Sequence, residues 1–421
     1  MAQFTGLVGI VFMIGIAWLM SENRKAIPWK MVGYALLMQL VLGIFIAGIP
    51  ALKFSGPLTP FFSAANDAII ASLAFVDRGS GFVFGPLTQP EKIGDFIIAF
   101  KVLPTIIFFA SLMAVLYHYG IMQRIVNVFA WIMRRFLGTS GPESLSTAGN
   151  IFLGQTEAPL LVKPYIESMS RSEIMCVMVG GFANVAGGVL AAYVGMLAGL
   201  VPDIAGHLLT ASVMSAPATI VFSKIIVPET RSSELPQGVS LSGKSIYTNG
   251  IDAAANGALE GTQLAITVGG MLIAFIALMA MGNGALGWVS DTTGLSQLLG
   301  TKISLELILG WLFAPFAWML GVSSEHMQFA GQLLGKKIIL NEFVAYLDLA
   351  KNGQALDQRS ALIMSYALCG FANVGSIAIQ IGGIGGMAPN KKNELAALGL
   401  KAMLAGMFAS AMCGAIMGFL L

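Results

Sequence analysis

Charge is what this chain has least of. Only 10% of its 421 residues are Asp, Glu, Lys or Arg, against about 25% in a soluble domain. So few charged groups cannot coat a water-facing surface, which excludes a soluble enzyme and a disordered chain together. The 23 basic and 21 acidic side chains nearly cancel, at a formal +2, so the charge balance gives no reason to expect nucleic acid as a partner. Cysteine is scarce as well. Cys176, Cys369 and Cys413 lie far apart in apolar runs, without the paired spacing of a disulfide framework or a zinc site. What the chain has in quantity is apolar residues, at 56% with a mean hydropathy of +0.81, together with 50 Gly and 24 Met. That is too much for one core, so the outer solvent is expected to be lipid.

An apolar run of roughly 20 residues crosses a bilayer as a helix, because every backbone group there must be bonded internally. Eight such runs are read, near 3–20, 32–52, 99–119, 174–200, 207–227, 261–283, 361–385 and 396–421. The first is read as an uncleaved span, because Arg24, Lys25 and Lys30 follow it and no basic residue precedes it. Placing those three in the cytoplasm puts Arg124, Arg134, Arg135, Lys224 and Lys401 there too and leaves both termini outside. Two further regions, 138–172 and 321–349, are apolar but interrupted, the first by Gly154 and Pro159, the second by Gly321, Gly335 and Glu342. Segments of this kind enter and turn back as re-entrant hairpins where protein or a wet cavity covers the bare backbone. The stretches 122–137 and 304–320 read as interfacial helices leading into them, with Trp131, Trp311 and Trp318 at suitable depth.

The chain also repeats itself. Gly181-Phe-Ala-Asn-Val185 recurs as Gly370-Phe-Ala-Asn-Val374, Glu143 with Ala148-Gly149 recurs as Glu325 with Ala330-Gly331, and Phe109–Ala114 resembles Phe275–Ala280. The span count gives the two units opposite directions. The expected fold is therefore all-α and integral to the membrane, with eight transmembrane helices and two re-entrant hairpins in an inverted repeat. Residues 1–98 form N-terminal spans and an interfacial segment, 99–227 the first repeat, 228–260 a cytoplasmic loop leading into the next helix, 261–385 the second repeat and 386–421 the last span. Inverted repeats with broken elements in matching places point to a secondary transporter that holds its substrate near the midplane.

A carboxylate at the bilayer centre costs roughly 2.5–3.5 kcal/mol, so Glu157 and Glu342, both at hairpin breaks, call for a wet cavity and partners. Asn150, Gln155 and Thr156 accompany the first, and Asn373 and Ser376 lie in the second repeat. Acids and amides of this kind suit a neutral ligand rich in hydroxyls and amides and repel an anion. Phe371 offers a ring beside a heterocycle, or simply packs.

The motifs GQTEAP at 154–159, NEF at 341–343 and GFANVGS at 370–376, with the order of elements over almost the whole chain, resemble the concentrative nucleoside transporters, bacterial and sodium-coupled in type. The resemblance implies that Gln155, Thr156 and Glu157 read the nucleobase of a substrate such as uridine, with Gly154 beside them in the substrate site. Glu342, Asn373 and Ser376 would hold the ribose, with Val189 and Phe371 closing the site. It implies a sodium ion on the Asn150 side chain, the carbonyls of Leu153 and Val185, and position 184. Here that position is Asn184, where the family carries a small hydroxyl residue. It implies further a homotrimer in the bacterial inner membrane, with one domain moving against a fixed scaffold. Proton coupling through Glu157 or Glu342 is the alternative for the ion, a nucleoside channel the alternative for the cycle. An intramembrane enzyme is disfavoured by the lack of an Asp pair, a Ser and His pair or a metal motif within the spans.

Two features read as decoys. Gly238 to Ser245 fits the phosphate-loop pattern, but in a loop of about 30 residues, too short for the α/β domain of at least roughly 50 that the pattern needs. His118, His207 and His326 fall at span ends without ligand spacing, and only His326, beside Glu325, is a candidate proton relay.

Overall fold

The computed structural model describes residues 2–49, 54–89, 92, 97–230, 235–236, 238–241 and 247–421. Among them the chain is helical, with no strand beyond one isolated bridge between Ile49 and Phe54. The N-terminal part consists of α1 (Ala2–Leu19), α2 (Trp29–Ala47) and α3 (Thr59–Phe84). The first repeat follows as α4 (Leu103–His118), α5 (Ile121–Leu137), α6 (Gly141–Gly149), the single turn α7 (Glu157–Leu160), α8 (Arg171–Ala183), α9 (Gly187–Leu197) and α10 (Ile204–Ile226). The second runs α11 (Gly250–Thr292), α12 (Leu305–Met319), α13 (Met327–Ile339), α14 (Glu342–Asn352), α15 (Gln358–Leu368), α16 (Val374–Met387) and α17 (Lys392–Leu420). The two series match element for element: long helix, connecting helix, broken pair, broken span, long helix.

The molecule is an all-α integral membrane protein, and its burial is the inverse of a soluble fold. Helix α11 has the highest mean hydropathy of the long helices, 2.4, yet only 11% of its apolar window is buried. Helix α10, at 1.5, is 94% buried. The most apolar surface faces outward because its surroundings are apolar, and the polar groups are gathered inside. Helices α8, α10, α15 and α17 form that interior, with α2, α3, α4 and α11 around it. Helix α11 lies close along α4 because Gly257 and Gly261 leave no side chain between them. A Cβ at Gly257 would stand 2.6 Å from the Ala114 Cβ, and one at Gly261 2.8 Å from the Ala110 Cβ. Small residues one turn apart allow this approach of two backbones in lipid.

Several expectations are adjusted by the structure. Thr59–Thr88 is long and apolar enough to cross a membrane, although no span is expected there; Asp67, Asp77 and Arg78 hold its hydropathy to 1.3. The expected spans at 174–200 and 361–385 are each two helices, parted at Asn184–Ala186 and at Cys369–Asn373. Helix α5 buries Val126, Ala130 and Met133 and exposes Arg124, Val128, Trp131, Arg135 and Phe136. Helix α12 occupies the expected place but is apolar on nearly all sides. Gly335 does not interrupt the second hairpin; it lies inside α13, where a Cβ would meet the Leu309 Cβ at 2.5 Å. Lys224, expected as a loop charge, is 2% exposed near the end of α10, paired with Glu143 and donating to the Ser172 hydroxyl at 3.0 Å. Glu143 also closes a capping box with Ser140 at the start of α6. Its counterpart by sequence, Glu325, is exposed, so that correspondence is one of chain position and not of environment.

Candidate functional site

Helix breaks position the site. Asn341 caps α14 by accepting the Val344 amide at 2.9 Å, which makes Glu342 the first residue of that helix, where its carboxylate faces the positive end of the dipole. Glu342 is 4% exposed. Its Oε1 accepts the Tyr193 hydroxyl at 2.8 Å and its Oε2 the Asn373 amide at 3.3 Å. Asn373 in turn caps α16, its Oδ1 accepting the Ser376 amide at 2.8 Å. The Ser376 hydroxyl accepts from Gln155 Nε2 at 3.1 Å. Gln155 Oε1 accepts from Gln380 Nε2 at 3.3 Å, and the same nitrogen lies 3.1 Å from the Met178 carbonyl. One chain of polar groups thus begins on α9 of the first repeat, passes through Glu342, Asn373 and Ser376 of the second, and returns to the first at Gln155.

The first hairpin reaches this chain at its tip. Thr156 donates to Glu157 at 3.0 Å, and a Cβ on Gly383 of α16 would touch the Thr156 Cγ2 at 2.9 Å. At Gly154 a Cβ would meet the Glu157 carboxylate, so a larger residue there would displace that side chain. The expectation that both acids are kept from bulk solvent holds for Glu342 and fails for Glu157, which is exposed. Glu157 heads the one-turn helix α7. Val189 is buried in the first turn of α9, and Phe371 is half-buried in the break before α16.

The two broken spans cross at their breaks. The Phe371 amide donates to the Asn184 carbonyl at 3.2 Å. A Cβ on Gly370 would stand 2.8 Å from the Phe182 carbonyl oxygen, so the crossing requires glycine. Beside it lie the residues the resemblance assigns to sodium. Asn150, fully buried at the end of α6, donates to the Ser146 carbonyl at 3.0 Å, while its Oδ1 has no hydrogen-bond partner. It packs against α8, where a Cβ on Gly180 would meet its Nδ2 at 2.8 Å. Asn184 Oδ1 accepts the Ser215 hydroxyl at 2.5 Å. Leu153 lies between α6 and α7, and Val185 in the break between α8 and α9. An orphaned buried amide oxygen among neutral oxygen donors fits a hard monovalent cation. Among the described residues no group of three His, Cys, Asp or Glu is placed to hold a metal.

The decoys lie elsewhere. His207 Nδ1 is 2.9 Å from the Tyr366 hydroxyl, and the His326 ring is 3.6 Å from Asp357, the cap of α15, away from Glu342. Of the phosphate-loop pattern, Gly238 to Leu241 form irregular chain, and Ser242 to Ser245 lie outside the described residues. An open groove of about 490 Å³ between Leu200, Pro202, Leu356 and Gln358 shares no residue with the polar chain. Tyr193, Gln380 and Ser215 join the site without being singled out by sequence. Tyr193 and Gln380 are each a lone polar side chain in an apolar run, a signal available in principle, while Ser215 is one of several hydroxyl residues along α10.

Descriptions of known proteins match the whole length. The model for the N-terminus of the Na+ dependent nucleoside transporters matches residues 8–87, one for nucleoside recognition ("Gate") residues 99–200, and that for the transporter C-terminus residues 207–418. The chain is 43% identical to an uncharacterized transporter of Haemophilus influenzae, over 99% of this chain and 98% of that one. It is 39% identical to the nucleoside permease NupC of Helicobacter pylori, over 98% and 96%. Among solved structures, CNTnw in an inward-facing substrate-bound state matches with a TM-score of 0.88 at 42% identity, covering 100% of this chain and 98% of that one. A doubly substituted CNTnw in an outward-facing state matches at 0.89 and 41%, with the same coverage.

Proposed function

The chain belongs to the sodium-dependent nucleoside transporter family, and from that premise we propose that it imports nucleosides such as uridine together with sodium, by alternating access. It is a transporter of the membrane and not an enzyme. The observation that carries the proposal is the buried Glu342, held by Tyr193 of one repeat and Asn373 of the other. A carboxylate kept inside a membrane protein with uncharged donors around it is suited to accept two sugar hydroxyls. Gln155, Thr156 and Glu157, at the tip facing this chain, present amide, hydroxyl and carboxylate groups to the base edge, and Val189 and Phe371 supply apolar contact. Gly154 leaves the Glu157 carboxylate its place beside the tip.

A neutral nucleoside gains nothing from the membrane potential, so uphill import needs a co-transported cation. One charge moving through 100 mV supplies about 2.3 kcal/mol, a concentration ratio on the order of 50-fold. Sodium would be held by the Asn150 amide oxygen, the Leu153 and Val185 carbonyls and Asn184. The unpartnered Asn150 oxygen supports this site. Asn184 reaches it with an oxygen already engaged by Ser215, so the larger side chain is accommodated by turning part of its capacity toward α10. The reading includes hairpins 138–172 and 321–349 as re-entrant elements, both termini outside the bacterial inner membrane, and a homotrimer in which α11 and its apolar surface serve the scaffold.

Labelled uridine uptake into proteoliposomes tests the proposal. Accumulation above the outside concentration under an inward sodium gradient is expected, and none without it. Accumulation driven equally by a proton gradient in the absence of sodium would transfer the coupling to protons. Equilibration without accumulation would make the protein a channel.

A further inference from the structure

Lys337 is a lysine with no measurable exposure, in the last turns of α13, five residues before Glu342. Among the described residues the other two buried lysines each have a carboxylate: Lys224 pairs with Glu143 and Lys336 with Asp348. The bonds recorded for Lys337 go instead to neutral oxygens, the Ala367 carbonyl at 2.8 Å and the Ser410 hydroxyl at 2.7 Å. The break in the second broken span explains the first of these. In an unbroken helix the Ala367 carbonyl would accept the Phe371 amide, four residues on. That amide is diverted across the molecule to the Asn184 carbonyl, and the ammonium takes its place. The Ser365 carbonyl, deprived of the Cys369 amide, which turns back to Tyr366, is taken by the Tyr346 hydroxyl at 2.6 Å. The frayed end of α15 is therefore capped by the second hairpin, with a positive charge at the negative end of its dipole.

The first repeat has a junction in a comparable place with the opposite need, although by the Glu143 and Glu325 register Asn150 matches Gln332 and not Lys337. There the side chain at the end of the first hairpin helix is Asn150, packed on the last turns of α8, and it presents a buried oxygen with no donor. One hairpin brings an acceptor that lacks a cation to its broken helix. The other brings the cation.

We propose that Lys337 is the second repeat's built-in cation, a positioning residue that holds the hairpin bearing Glu342 on the break of α15 as a bound ion would hold the comparable junction of the first repeat. The proposal rests on reading the Asn150 junction as an ion site. Lys337 has no substrate contact in this scheme; it acts through the placement of Glu342 and the Asn373 cap.

Two substitutions separate this from a role in packing. Lys337→Ala removes the ammonium and leaves room for a free ion beside the Ala367 and Ser410 oxygens. Lys337→Met removes the charge but keeps the stem. Each purified variant is first confirmed as monodisperse by size exclusion, then assayed in proteoliposomes for uridine uptake across a series of sodium concentrations, with choline replacing sodium. Both variants are expected to lose at least tenfold in uptake at low sodium. High sodium is expected to restore the alanine variant, with a steeper sodium dependence than the parent, and to leave the methionine variant impaired. Retained uptake in both variants would overturn the proposal, as would a loss that sodium restores in neither. Monodisperse methionine protein keeps the comparison informative if the alanine variant fails to fold, because unimpaired uptake by it alone overturns the role of the charge. A parent protein indifferent to sodium would sink the coupling proposed above, and leave this one standing if the alanine variant alone acquires a sodium requirement.

Discussion

Glu342 has two neutral donors and no water-facing side, so its substitution separates binding from folding. Glu342→Gln keeps the volume and removes the charge that makes its hydrogen bonds strong; charge-assisted bonds contribute about 1.5–3 kcal/mol each. Uridine uptake is expected to fall on the order of 10- to 100-fold, with the thermal unfolding temperature in detergent changed little. Normal uptake by this variant would remove Glu342 from the ligand. Tyr193→Phe deletes one donor to Oε1 and is expected to raise the uridine KM by roughly 10- to 150-fold, corresponding to one charge-assisted bond of about 1.5–3 kcal/mol. Glu157, exposed at the hairpin tip, is expected to act on affinity for the base and not on stability. Glu157→Gln should leave the unfolding temperature unchanged while altering the preference among nucleosides in competition assays.

The broken helices are the elements on which everything turns. Gly370 sits where one broken span passes over the other, and a methyl there would press on the Phe182 carbonyl at 2.8 Å and the Ala183 carbonyl carbon at 3.0 Å. Backbone cannot yield as a flexible side chain can, and overpacking of this kind costs about 1–3 kcal/mol. Gly370→Ala is therefore expected to lower the unfolding temperature and to abolish uptake together. An alanine protein with full uptake would show that the two spans need not touch. The repeat was legible in the sequence because GFANV is short, identical and placed at both breaks. The break itself was less so: span 174–200 reads as one apolar run, since Asn184 alone does not outweigh its neighbours in a hydropathy window. The distinction depends on where the Phe371 amide goes, which is a contact across 187 residues of chain.

At the scale of the whole molecule, a surface cluster ties the N-terminal helices to both repeats. Glu22, between α1 and α2, receives the Arg171 fork at 2.9 and 3.0 Å and the Lys401 ammonium at 2.9 Å. Arg171 begins α8 and Lys401 lies on α17. The Arg171 hydrogen bonds, aided by Lys401 and opposed by partial burial, lower the Glu22 carboxyl to about 2 from its usual 4.5. Whatever this cluster contributes to stability is present above about pH 4.5 and is lost as the pH falls toward 2. Exposed pairs contribute at most about 1 kcal/mol each. The difference in unfolding temperature between the parent and Glu22→Gln is accordingly expected to be small, constant from about pH 5 to 8, and to shrink below about pH 4.5 until it closes near pH 2. A difference that changes between pH 6 and 8 would show that another group governs the cluster.

The recurring GFANV sufficed for the doubled plan, and composition and run length for the membrane, the helical class and most of the polar residues, because lipid penalises each charge and each unpaired backbone group one residue at a time. Those penalties are local, and a local rule can be read from a string. The partners were not local. That Lys224 is buried against Glu143, that Glu342 is gripped from the opposite repeat, that Glu157 stands exposed, and that Lys337 replaces a missing amide at the end of α15 all depend on which helices come to lie side by side. Only the folded chain decides that, since hydrogen bonds and ion pairs form between neighbours in space, and the intervening sequence carries no record of the distance.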